Sequence, residues 1–400
     1  MKTYRIINFG CKVNQYNGAA IEANLRRAGL YKSENADVII INMCSLTSNA
    51  VRKARLLLNR VKRENQGSTI ILTGCIEKHN SFEVHAKIHT RDREEIYHFL
   101  GISEFTEVAD SIPGHTRSFV LIQEGCREFC TYCIVPYMRD YSYSKPFDVI
   151  KEEISSLAEK GVKEIVLTGT HINDYNFNSH TLKEIIHFID SESEIKRFRI
   201  SSIEPQDISG DLINTLKNSG KFCPHLHISV QSGSDTVLKR MNRKYNSSCI
   251  SDLIERLRSI PYFEWSGDLI VGFPGETDDE FSDSVELIKK ELPVSLHVFP
   301  FSARKGTEAY QMSGKISGDV IKRRAFIMRK LAEEVGLKVR RRYIGKTLRV
   351  LLEKEENGIY TGYSQNYIKT DINKSEDSVL NEIRDVSITD ADKNLKGEFL

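Results

Sequence analysis

No stretch of this 400-residue sequence stays apolar for the eighteen or so positions that a membrane-spanning helix needs. Its first residues, MKTYRIINFGCKVNQY, lack the apolar core and small-residue cleavage site of a secretory leader. Low-complexity tracts and repeats of fixed period are missing too. A soluble globular protein with no membrane contact is therefore expected, and the cytoplasm is its expected compartment. Disulfides seldom persist there, so the eight cysteines read as metal ligands or core residues.

A large net charge is also absent: 57 Lys and Arg against 55 Asp and Glu leave +2. The distribution is uneven, however. Val320 to Arg349 holds eleven basic and two acidic residues, whereas Val350 to Leu400 holds six and eleven. A concentrated basic stretch marks either a phosphate-binding surface or a solvated helix joining two domains, and charge alone does not separate the two.

The length implies two or three domains. YRIINFG, DVIIINM and TIILTG read as buried parallel strands, with GAAIEANLRRAGL and SNAVRKARLLLNRVKREN as crossover helices. Each strand is followed by a cysteine: Cys11, Cys44 and Cys75. Parallel strands end on one edge of their sheet, so three thiols about thirty residues apart are expected to converge there. SFVLIQ, EIVLTGT, FRISSIE, LHISVQSG, SGDLIVGF and SLHVFPFS form a second strand–helix series, short of the eight units that close a full barrel. A long helix over 320–342 leads out of it, and the alternating, Asn-Gly-punctuated tail reads as a small β-barrel. The expected fold class is α/β: an open parallel-sheet domain over 1–115, a partial (βα)6 TIM-like barrel over 116–338, and an antiparallel β-barrel over 339–400.

The last shortage is of a single cysteine. CREFCTYC, just after the first barrel strand, offers Cys126, Cys130 and Cys133, whereas a thiolate-bound 4Fe–4S cube or a structural zinc takes four ligands. Three thiolates leave one metal position open, as catalytic sites do. Ser202, Glu204, Gln231 and Asp268 end or line neighbouring strands and are candidate cofactor contacts, although strand capping explains any one of them as well. His171, alone at a strand end, reads as a hydrogen-bonded structural residue, and Cys223 and Cys249 as packing residues.

Cys-x3-Cys-x2-Cys with an aromatic before its last cysteine resembles the signature of radical S-adenosylmethionine enzymes. In such enzymes S-adenosylmethionine chelates the open iron, and one electron cleaves it to a 5′-deoxyadenosyl radical. FGCKVNQY, INMCSLT and TGCIEKH, followed by GCREFCTYC, LTGTHINDY, HISVQSGSDTVLKRMNRKY, LIVGFPGET and HVFPFSARKGT, extend the resemblance across the whole chain to the methylthiotransferase family. GKTLRVLLEKEENGIYTGYSQNYIK is similar to the terminal TRAM domain of that family. GCKVNQY is most like the branch acting on N6-threonylcarbamoyladenosine beside the anticodon of tRNA.

The resemblance implies two 4Fe–4S clusters, the radical one on Cys126, Cys130 and Cys133 and an auxiliary one on Cys11, Cys44 and Cys75. It implies S-adenosylmethionine as cofactor, and as partners the tRNA anticodon stem-loop, an external one-electron reductant and a sulfur donor. Asp140 and Tyr143 stand where Gly and Arg are common in the family. The acidic tail leaves the 320–342 helix and SNAVRKARLLLNRVKR as the expected phosphate contacts. The rival readings are the same chemistry on isopentenyladenosine tRNA or on a ribosomal-protein aspartate, a non-catalytic iron–sulfur RNA-binding or electron-transfer protein, and a zinc protein.

Overall fold

The computed structural model describes residues 2–44, 48–76, 82–109, 116–374 and 379–400. Parts of the INMCSLT and TGCIEKH motifs, and the expected boundary at 115, lie outside them. The first unit is a parallel sheet of β1 (Thr3–Asn8), β2 (Tyr31–Lys32), β3 (Val38–Met43), β4 (Thr69–Gly74) and β5 (Ala86–Lys87), in the order β2-β1-β3-β4-β5. Its helices are α1 (Lys12–Arg27), α2 (Ser48–Glu64) and α3 (Glu94–Leu100). β3 is buried at every position, as a central parallel strand must be when both of its faces are covered. The register sets Asn8 beside Asn42 and Met43 beside Gly74, so β1, β3 and β4 end on one edge.

The second unit contains six parallel strands: β6 (Arg117–Glu124), β8 (Glu164–Gly169), β9 (Arg197–Ile200), β10 (His225–Gln231), β11 (Glu264–Val271) and β12 (Ser295–Pro300). A two-residue strand, β7 (Tyr143–Ser144), pairs antiparallel with β6. Between β9 and β10 the ladder thins to isolated bridges, Phe198 with Phe222 and Ile203 with Ile228, and the ring stays open between β7 and β12. The helices α4 (Val135–Met138), α5 (Phe147–Glu159), α6 (Leu182–Ser191), α7 (Gly210–Asn218), α8 (Asp235–Arg240), α9 (Ser247–Leu257), α10 (Asp278–Glu291) and α11 (Glu308–Gln311) connect them. One continuous core joins outward-facing strand residues such as Ile165, Leu167, Phe198, Leu226 and Ile228 to Ile150, Ile185, Leu212 and Leu253 of the helices.

α12 (Gly318–Arg341) leads into a closed barrel of β13 (Thr347–Glu356), β14 (Ile359–Ser364), β15 (Lys369–Asn373), β16 (Ile383–Ala391) and β17 (Leu395–Phe399). The expectation of an antiparallel barrel needs one correction: β15 and β17 pair parallel. Strand direction cannot alternate all the way round a ring of five, so one pair must run the same way.

Two seams fix the units on one another. Lys145 and Glu153, both fully buried in the partial barrel, form an ion pair (2.7 Å) joined by the α1 hydroxyl of Tyr16. At the other seam Glu164 meets Arg197, Arg199 and Arg117. The first two arginines also donate to the carbonyls of Arg349, Tyr363, Ser364 and Gln365 in the terminal barrel.

Candidate active site

Cys11 is the N-cap of α1, and Cys44 and Cys75 follow the C-terminal ends of β3 and β4. Two glycines let their backbones meet closely. A Cβ on Gly10 would lie 3.0 Å from Cys44 Cβ, and one on Gly74 would lie 2.3 Å from the Met43 carbonyl; both have positive φ. The Cys75 amide donates to Met43 O (3.0 Å), and Asn14 reaches the same carbonyl with Nδ2 (2.9 Å). The three sequence-predicted residues thus share one sheet edge.

Cys126, Cys130 and Cys133 curl after β6, with the Cys133 amide donating to Cys130 O (2.9 Å). Tyr132, between the last two cysteines, packs with Phe273 of the GFPGE turn and with Met241. Burial pushes the Cys126 thiol up to about 11 and the Cys133 thiol to about 12; it also raises Cys75. Each set has a guanidinium beside it: Arg243 Nη1 lies 3.1 Å from Cys130 Sγ, and Arg139 Nε 3.3 Å from Cys75 Sγ. Such cations offset the charge of thiolates once a metal takes their protons.

The segment that follows the CREFCTYC loop meets the N-terminal set. Cys75 packs against Ile134, the residue after Cys133, and against Met138. Arg139, at the end of α4, is shared between Cys75, Asn14 (3.0 Å) and Glu124 at the end of β6 (3.5 Å).

Below Cys11 and Cys75 opens a cavity of about 1050 Å3. Its lining falls on alternate positions of the six strands: Arg117 and Phe119, Val166 and Thr168, Arg199 and Ser201, His225 and His227, Ser266 and Asp268, Ser295, His297 and Phe299. Side chains alternate across a strand, so this cavity is the barrel lumen. Full eight-stranded barrels fill that space with layers of branched apolar residues. Here it is open, and polar side chains project into a mainly apolar lining.

A hydrogen-bond chain crosses it. Ser266 Oγ is hydrogen-bonded to His225 Nε2 (3.0 Å) and to His227 Nδ1 (2.9 Å). His227 Nε2 and His297 Nδ1 both donate to Asp268 Oδ1, at 2.9 and 3.1 Å. Burial would raise the Asp268 carboxyl, but the two histidines overcome it and hold it well below the carboxylate range. Burial keeps His225 neutral. The terminal barrel closes the floor with Tyr363 and Tyr367, stacked at 4.9 Å beneath Arg117 and Arg199.

Of the candidate cofactor contacts, Ser202 and Asp268 line this lumen. Glu204 instead pairs with Arg243, the arginine on Cys130. Gln231 ends β10 buried, in a left-handed conformation after a bulge, and is not among the lumen residues. His171 is held between Asp174 (2.8 Å) and Asp207 (2.7 Å). Burial opposes its charge, but the two carboxylates raise it to about 10. Asp140 pairs with Arg91, and Tyr143 donates to Glu107. The basic 320–342 segment is partly engaged internally: Arg324 is buried against Glu276 (2.7 Å) and Arg340 donates to Asp392 O (2.7 Å). Sequence reasoning missed Lys12, Asn14, Arg139, Arg243, His227 and His297. For the histidines the period-two placement on β10 and β12 was a usable signal; Lys12, Asn14 and Arg243 lay inside quoted motifs, and Arg139 just beyond the CREFCTYC loop, without a reason to be singled out.

A partial parallel barrel with three thiols after its first strand, opening onto a second three-thiol edge, defines a class of two-centre radical enzymes. Residues 120–288 match the Radical SAM superfamily, and residues 3–93 match the Uncharacterized protein family UPF0004. Threonylcarbamoyladenosine tRNA methylthiotransferase MtaB of Thermotoga maritima is 36% identical over 92% of this chain and 91% of its own. Its Bacillus subtilis namesake is 33% identical over 95% and 92%. A tRNA-2-methylthio-N(6)-dimethylallyladenosine synthase of Pelotomaculum thermopropionicum is 31% identical over 98% and 96%. Among solved structures, the radical S-adenosylmethionine methyltransferase TsrM of Kitasatospora setae has a TM-score of 0.58 at 10% identity, over 89% of this chain and 79% of that one. That is a likeness of fold alone.

The chain belongs to the radical S-adenosylmethionine methylthiotransferase family and is a transferase. Two 4Fe–4S clusters and S-adenosylmethionine are its cofactors, and the residues fit them. Two sets of three thiols, each beside a guanidinium, suit cubes that keep one iron open, and the lumen gives the organic cofactor and a substrate a common space. Among the described residues no helix is long and apolar enough to cross a membrane.

Proposed function

We propose that the protein inserts a methylthio group at C2 of N6-threonylcarbamoyladenosine beside the anticodon of tRNA. The observation that carries this reading is the lumen beside Cys11 and Cys75, with the polar side chains that the strands project into it. A threonylcarbamoyl group brings a urea, a hydroxyl and a carboxylate, which can partner the ring nitrogens of His225 and His297 outside that hydrogen-bond chain. A dimethylallyl group offers no hydrogen-bond partner to the ring nitrogens of His225 and His297 that this chain of bonds leaves out. The names of the Thermotoga and Bacillus relatives agree with the first substrate.

In this reading Cys126, Cys130 and Cys133 hold the radical cluster, and Cys11, Cys44 and Cys75 the auxiliary one. Bound there, the cofactors supply a carbon radical that can take hydrogen from an unactivated ring carbon, together with the sulfur and methyl that replace it. The chain's own part is placement. Ile134, α4 and Arg139 would tie the Cys133 end of one set to Cys75 of the other, and the lumen would orient the base. Ser202 and Asp268 would touch cofactor or substrate in the lumen, Glu204 would act through Arg243, and Gln231 would shape the end of β10. The domain bounds 1–115, 116–338 and 339–400 follow from the same reading. A one-electron reductant and a sulfur donor are the further partners it needs, and the cytoplasm is the compartment that holds them.

Nucleoside mass spectrometry of tRNA from a strain lacking this gene tests the reading. Loss of the methylthio-threonylcarbamoyl nucleoside, restored by the wild-type gene and not by a Cys130→Ala copy, is expected. An unchanged nucleoside with loss of the methylthio-dimethylallyl species would overturn it.

A further inference from the structure

Most cations around the lumen are already engaged. Arg117 meets Glu164 and Glu353, Arg199 meets Glu164 and terminal-barrel carbonyls, and Arg139 is clasped by Asn14 and Cys75. Lys369 and Lys393 stand exposed at the rim. Lys12 differs from all of these. As the first residue of α1 it reaches from the N-terminal unit into the lumen that His225, Asp268, His297 and Tyr367 also line. Among the described residues its ammonium makes no ion pair or hydrogen bond. The nearby carboxylate, Asp268, is already taken by two imidazoles. A cation drawn into a partly desolvated cavity without a partner is unfavourable unless a ligand brings the countercharge.

We propose that Lys12 receives the carboxylate of the threonylcarbamoyl group and so decides which modified adenosine enters the lumen, an inference that rests on the substrate reading above. Adenine and ribose are neutral, and the dimethylallyl group offers no anion. The threonyl carboxylate is the one charge that distinguishes this nucleoside from its rivals. The methionyl carboxylate of S-adenosylmethionine shares the same chemistry, and the test separates the two sources.

Anaerobically reconstituted full-length enzyme is titrated with anticodon stem-loop RNA carrying threonylcarbamoyladenosine, its threonyl methyl ester, dimethylallyladenosine or adenosine. S-adenosylmethionine affinity and iron content are measured alongside. Wild type should bind the acid about 10- to 100-fold tighter than the ester. Lys12→Met should erase that difference with adenosine RNA, S-adenosylmethionine and iron unchanged, and Lys12→Arg should keep part of it. If Lys12→Met keeps the acid-over-ester preference, or weakens S-adenosylmethionine alone, the assignment is overturned. Equal binding of acid and ester by wild type overturns it too, and needs no variant to fold. A wild-type preference for dimethylallyl RNA defeats the substrate reading itself and removes this assignment with it.

Discussion

The two cysteine sets are built in opposite ways. Cys126, Cys130 and Cys133 occupy one eight-residue loop, so their grouping is local and survives any rearrangement of distant elements. Cys11, Cys44 and Cys75 meet only because β1, β3 and β4 are parallel, in register, and joined by crossovers that return each strand to the same edge. The surroundings differ in the same sense. Cys130 takes its guanidinium from its own domain, Arg243, whereas Cys75 takes one from another domain, Arg139. A local site can be specified by spacing. An assembled site also depends on the seam that brings its last partner.

The largest expected effect comes from removing one thiol of each set. Cys130→Ala and Cys75→Ala should each lower bound iron from about eight to about four atoms per chain. Only Cys130→Ala should abolish production of 5′-deoxyadenosine from S-adenosylmethionine. Cys75→Ala should keep that cleavage and lose methylthiolation. Equal loss of cleavage in both, followed by chromatography, would break the division of labour.

Next comes the seam beneath the assembled set. Lys145→Met leaves Glu153 buried without its cation and should destabilise the protein by about 3–5 kcal/mol. Urea unfolding measures this, and the N-terminal unit should loosen first in hydrogen exchange.

The far seam is titratable. Burial raises the Glu264 carboxyl to about 7, with the Tyr343 hydroxyl, 2.7 Å away, opposing. Its folded value lies above the unfolded one, so the associated stability is complete below about pH 4 and is lost as pH rises through 7. The change is on the order of 3 kcal/mol. Glu264→Gln should flatten that part of the stability–pH curve, read by thermal melts between pH 5 and 8. A profile as steep as wild type would show that another group carries it.

The smallest effect belongs to Cys249, exposed on α9 away from both sets. Cys249→Ser should leave iron unchanged and stability within about 0.5 kcal/mol.

The division between legible and hidden follows sequence separation. The strands, the CREFCTYC loop and the three strand-end cysteines were readable because apolar period and short spacing are local properties. The antiparallel reading of the last barrel holds for every pair but β15 with β17, which parity forces, since local alternation says nothing of how many strands close a ring. Arg139, Arg243 and Asn14 stayed hidden because their partners lie 64, 113 and 61 residues away. Nothing in a motif announces which arginine will cross a domain boundary.

By itself, then, the order of residues determined the elements and both cysteine sets, because backbone preference and short spacing act within a few residues. The tertiary structure alone decided that the barrel stays hollow, that Ile134 and α4 pack on Cys75, and that one lysine from the N-terminal unit enters the lumen uncompensated. Those outcomes depend on which faces end up opposed, and that is fixed only when the units close on each other.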